Sequence, residues 1–135
     1  MGDVPPISGL VPMLHVSDVE RSVAFYQHLG FKIGNRVPPA GPIGWCWLYQ
    51  PAAPDWKRGA NLMLTCAECP IHADQQSALF YLYAQDLVAL RNALVQAGLQ
   101  PDEIKHPEYL PEGEFRLTDP DGFCLMVAQS GKETP

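Results

Sequence analysis

Two stretches of this chain begin and end alike, and that likeness sets the strongest limit on how it can fold. "SDVERSVAFYQHLGF" opens on Ser17 or Asp18, either able to cap a helix N-terminus. Val19, Val23 and Phe25/Tyr26 then recur at helical spacing, and Gly30 is a natural stop. "QDLVALRNALVQAGL" repeats the plan, with Asp86 at its start and Gly98 at its end. A strand-like run precedes each helix, "LVPMLHVS" before the first and "ALFYLYAQ" before the second. Three strand-like runs follow the first helix: "FKIGNRV" (31–37), "GWCWLYQ" (44–50) and "ANLMLTCA" (60–67), separated by Pro/Gly-rich turns. After the second helix come "DEIKHPEYL" (102–110), an irregular strand with an internal proline, and a hairpin of "GEFRLTD" and "FCLMVAQ". Pro120-Asp121-Gly122 turns the hairpin, Pro presetting φ and Gly supplying a positive one. The chain thus predicts β-α-β-β-β twice: a first module at 8–67, a linker at 68–77 and a second module at 78–130, an α+β duplication.

With 135 residues, 47% of them hydrophobic, the chain can build one domain around a real core. A net charge of -6 argues against a nucleic-acid partner, which needs a basic footprint. No apolar run approaches the roughly 18 residues that cross a bilayer, so no membrane partner is expected. "MGDVPPISGLVPM" lacks the basic-then-apolar order of a secretory signal. Cys46 and Cys124 lie in apolar runs, where a free thiol acts as a small hydrophobe, and a reduced cytoplasmic setting is the simpler expectation. Cys66-x-x-Cys69 with His72 lacks the further ligands of a zinc site and the following helix of a redox motif.

"VPMLHVSDVERSVAFYQHLGF" and "EFRLTDPDGFCLMVAQ" together resemble the vicinal oxygen chelate superfamily. That group includes glyoxalase I, extradiol dioxygenases, fosfomycin-resistance enzymes and bleomycin-resistance proteins. The resemblance spans residues 8 to 130 and implies two βαβββ modules forming a curved mixed-sheet cup, with the helices outside. It also implies a homodimer. In the metal-dependent members, a His on the first strand of each module and a Glu past the DPDG turn hold a divalent ion. The matching positions here are Val11, Leu79 and Met126. Val and Leu cannot bind a metal, and a thioether is too soft for iron, manganese or zinc. The resemblance therefore points to the metal-free, bleomycin-resistance-like branch: a cup that binds a small molecule without transforming it, with no metal and no cofactor.

Strand alternation turns those positions into candidate ligand contacts. Met13 and His15 share a face with Val11; Tyr81 and Tyr83 share one with Leu79; Cys124 and Ala128 share one with Met126. Glu114 and Arg116 share the face opposite Phe115 and Leu117, where they serve equally as groups that orient and charge-select a ligand or as a solvent-facing salt bridge at the cup rim. Trp45 and Trp47 share one face of their strand, which the alternation assigns equally to pocket or core. The rival reading is a metal-dependent lyase or dioxygenase using non-standard ligands such as His106 and Glu114.

Overall fold

The computed structural model describes residues 2–131. The chain divides into two units, with the break between Glu68 and Cys69.

In the first unit the elements are β1 (Met13–Val16), α1 (Val19–Gln27), β2 (Lys32–Val37), β3 (Trp45–Tyr49) and β4 (Asn61–Cys66). They form a four-stranded mixed sheet in the order β1-β4-β3-β2. β1 runs parallel to β4, and the other neighbours are antiparallel. The register puts alternate residues on two faces. Leu14, Val16, Cys46, Leu48, Leu62 and Leu64 are buried, and so are Val19, Val23 and Tyr26 of α1. Each such side chain withdrawn from water contributes about 1.5–3 kcal/mol before entropy is charged against it. The opposite face carries Met13, His15, Trp45, Trp47 and Met63, which keep partial or full exposure. Asp18 caps α1 by accepting from the Arg21 amide at 3.1 Å.

In the second unit the elements are β5 (Leu79–Ala84), α2 (Leu87–Gln96), β6 (Glu114–Thr118) and β7 (Cys124–Gln129). The sheet order is β5-β7-β6, and β5 runs parallel to β7 as β1 does to β4. Phe115, Leu117, Leu125 and Val127 are buried on one face, with Leu87 and Leu94 of α2. Asp86 caps α2 through the Ala89 amide at 3.0 Å.

The expected strand at 102–110 is a correction. It makes only an isolated bridge, Lys105 with Glu114, plus one further backbone bond from Asp102 to Arg116. The cause is local: Pro101 precedes the segment and Pro107 interrupts it, and a proline has no N–H to lend a ladder. The segment still lies along β6, where β2 lies along β3 in the first unit, so the strand order is duplicated even though the edge is degenerate.

The hairpin turn is built around Asp119. Its Oδ1 accepts from the amides of Asp121 at 2.9 Å and Phe123 at 2.8 Å. The Gly122 amide donates to the Asp119 carbonyl at 3.0 Å. Gly122 has φ +88°, and a Cβ there would sit 2.3 Å from the Ala73 carbonyl oxygen. Both the backbone angle and the space demand glycine.

Candidate functional site

The open face of the first sheet holds a pocket of about 350 Å³ lined by Val11, Asn35, Trp45, Trp47, Trp56 and Met63. The register explains the grouping: Met63 pairs with Trp47 on one side and Met13 on the other. Cys46 and Leu48 take the buried face of β3, which leaves the tryptophans on the open one. Burial pushes the Cys46 thiol up from its ordinary range, and the Arg36 charge only partly offsets this.

Trp47 is fixed from three directions. Its Nε1 donates to Asn61 Oδ1 at 3.0 Å. Its ring stacks on Tyr49 at 5.0 Å and 14°. It also occupies the space over Gly34, where a Cβ would lie 2.3 Å from Trp47 Cε3. Asn61 Nδ2 in turn donates to the carbonyls of Trp56 at 2.8 Å and Gly59 at 3.2 Å. One amide side chain thus ties the strand tryptophan to the loop that carries Trp56. That loop contains a short 3-10 helix, Trp56–Arg58, capped by Asp55 through the amides of Lys57 and Arg58. The Asp55 carboxyl is held below its usual range, first by its bond to Arg58.

The open face of the second sheet carries a different set. Tyr81, Met126 and Arg116 lie in one cross-strand row, and Tyr83, Ala128 and Glu114 in the next. Glu114 is only 5% exposed. Its Oε1 accepts from the Tyr81 hydroxyl at 3.2 Å and its Oε2 from the Tyr109 hydroxyl at 3.3 Å. Loss of hydration, then the Glu114 carboxylate and the Tyr109 phenol, push Tyr81 up to about 12. Tyr81 and Tyr83 stack at 6.1 Å and 23°. A second pocket of about 350 Å³ opens here, and its lining includes Tyr109, Glu114, Arg116 and Met126.

Trp45 and Trp47 come together in the first pocket, and Glu114, Arg116 and Met126 in the second. Met13 and His15 share the face of the first pocket but lie outside its lining. Tyr81 reaches the second site through its bond to Glu114, and Tyr83 through its stack on Tyr81. His106 turns its Nδ1 to the Pro111 carbonyl at 2.9 Å, so that nitrogen carries the proton, and it lies outside the second pocket's lining. Trp56, Asn61 and Tyr109 were not legible as candidates, and neither were Asn35 and Met63. Trp56 and Tyr109 sit in irregular segments, where no alternation assigns a face. A large aromatic amid Pro, Gly and Asp was the one available signal.

The residues do not fit the divalent ion of the superfamily's enzymes. Val11, Leu79 and Met126 offer no nitrogen or oxygen donor. Among the described residues, no group of three or more His, Cys, Asp or Glu side chains could hold a metal ion. No helix among them is long and apolar enough to cross a membrane.

Two units, each pairing its first strand in parallel with its last and carrying its helix opposite an open sheet face, define a mixed α+β protein of duplicated modules. The sequence model of the Glyoxalase/Bleomycin resistance protein/Dioxygenase superfamily matches residues 10–127, and the chain belongs to that superfamily. No curated protein matches it. Among solved structures it is similar to a bleomycin-binding protein complexed with bleomycin: 22% identity, 93% of this chain and 100% of that one covered, TM-score 0.72. It is similar to the bleomycin resistance determinant encoded on transposon Tn5: 21% identity, 92% and 98% covered, TM-score 0.72. It is also similar to TnmS3, an antibiotic-binding protein from Streptomyces sp. CB03234: 20% identity, 97% and 100% covered, TM-score 0.68. At these identities the likeness establishes the fold.

Proposed function

We propose that this protein binds a small, partly aromatic molecule on the open faces of its sheets, without a metal and without transforming it. The carrying observation is the first pocket, where all three tryptophans of the chain line one apolar concavity beside Met63. Flat aromatic walls with few polar groups suit a planar apolar ligand, and the indole N–H and its amide partner give an orienting edge. The absence of donors at Val11, Leu79 and Met126 supports the metal-free part of the reading. The similar bleomycin-binding and antibiotic-binding proteins suggest bleomycin as a first probe. A cytoplasmic setting belongs to the same reading and is supported by four free thiols. So does a homodimer, carried from the superfamily resemblance; sedimentation at twice the chain mass checks it, and a monomer at high concentration refutes it.

Because every tryptophan lines the pocket, tryptophan emission, excited selectively at the red edge where tyrosine does not absorb, reports on it. Titration with metal-free bleomycin in the presence of EDTA is expected to change the emission saturably. Protein purified without chelator is expected to carry no stoichiometric divalent metal. Metal at one per chain, lost on His106→Ala, would sink the proposal in favour of the metal-dependent rival.

A further inference from the structure

The second pocket contains a buried charge without a counter-ion. Glu114 is 95% withdrawn from solvent, being 5% exposed, and it still lines the pocket. Its two hydrogen-bond partners, the hydroxyls of Tyr81 and Tyr109, are neutral donors. No Lys, Arg or His lies within ion-pair distance of it among the described residues. A carboxylate has about four acceptor sites on its two oxygens, and the phenols use two of them. The other ionisable groups of the lining balance in number: Lys105 and Arg116 against Asp102 and Glu103, all four exposed. The uncompensated charge is therefore the buried one, where the local dielectric is lowest and a partner gains most.

Two tyrosines hold it by their hydroxyls. Tyr109 is 70% exposed, with its hydroxyl on Glu114 Oε2. Tyr81, stacked with Tyr83, holds Oε1. Phenol rings present a negative face that attracts an organic cation, and a carboxylate among them adds a directed acceptor. An anionic group would meet Glu114 as a like charge. A purely apolar group would leave the carboxylate buried and unpaired beneath it.

We infer that this pocket is a site for a protonated amine or guanidinium, with Glu114 as its counter-ion. The inference deepens the binding reading above and rests on it. The ligand class at this pocket becomes a molecule with a basic group, held by Glu114.

The test uses the full chain with its methionine methyls carbon-13 labelled. Met126 lines the second pocket and Met63 the first, so one spectrum reads both. The probes are benzylammonium and its neutral counterpart, benzyl alcohol. Benzylammonium is expected to shift the Met126 methyl saturably, with benzyl alcohol weaker there by roughly tenfold or more, as for a charge pair that is largely desolvated. Glu114→Gln is expected to bring benzylammonium down to the level of the alcohol. Equal binding of the two probes at Met126 in the unaltered protein overturns the inference whether or not the variant folds. Shifts at Met63 with none at Met126 overturn the site and leave the aromatic-ligand reading standing. Silence at both methyls counts against both.

Discussion

At the scale of single residues, the first pocket depends on what is missing as much as on what is present. Trp47 can lie over β2 only because position 34 has no side chain. Gly34→Ala puts a methyl into the indole while Asn61 still holds Nε1. The expected outcome is overpacking worth about 1–3 kcal/mol and a displaced ring. Denaturant unfolding and the tryptophan emission maximum check it; an unchanged spectrum with unchanged stability refutes it. Tyr81 makes a second residue-scale prediction. Its phenol is raised to about 12 from an ordinary value of 10.0. Below pH 10 it is protonated in both the folded and the unfolded chain, so its contribution to stability is complete. As pH rises from 10 towards 12 the unfolded chain ionises first and that contribution is lost. Spectrophotometric titration of the protein against Tyr81→Phe should show one phenol missing from the last-ionising step. Ionisation of Tyr81 with the ordinary phenols would contradict the Glu114 contact.

At the scale of elements, most of the fold was legible because its signals are local. Asp18 and Asp86 cap the helices at the positions their spacing indicates. Alternation along β5, β6 and β7 sorted core from open face, down to Phe115 and Leu117 against Glu114 and Arg116. The failure at 102–110 is equally physical. The segment has the residues of a strand, but its prolines limit it to a bridge and one further bond. Which face of β3 is buried was not legible, because Trp and Tyr serve core and pocket equally well. Pairing decided it: Cys46 and Leu48 lie opposite Leu64 and Leu62. The DPDG turn carries the prediction at this scale. Gly122→Ala meets both a positive φ and the Ala73 backbone, which no rotamer change relieves. Destabilisation of about 1–3 kcal/mol is expected, read as a melting temperature several degrees lower. A change below a few tenths of a kcal/mol would show that the turn is not tied to the 73–75 segment.

At the scale of the whole molecule, superfamily membership was legible and the ligand was not. Duplicated capped helices, the DPDG turn and the spacing between them are long-range regularities that one sequence can display. A pocket is a convergence of side chains from separate segments. Trp56 and Asn61 join Trp47 through carbonyl and amide contacts that no periodicity encodes. Tyr109 reaches Glu114 from an irregular segment in the same way. The apolar character of Val11, Leu79 and Met126, by contrast, was plain in the sequence and bears directly on chemistry. The central claim is that the molecule binds an aromatic ligand with no metal involved. The most direct measurement is a screen of aromatic fragments against the indole N–H resonances of Trp45 and Trp47 and the Met63 methyl, run in EDTA. Saturable shifts are expected at these resonances, the same when zinc, manganese or iron(II) replaces the chelator. Shifts that appear only when a divalent metal is added, or none with any fragment, would contradict it.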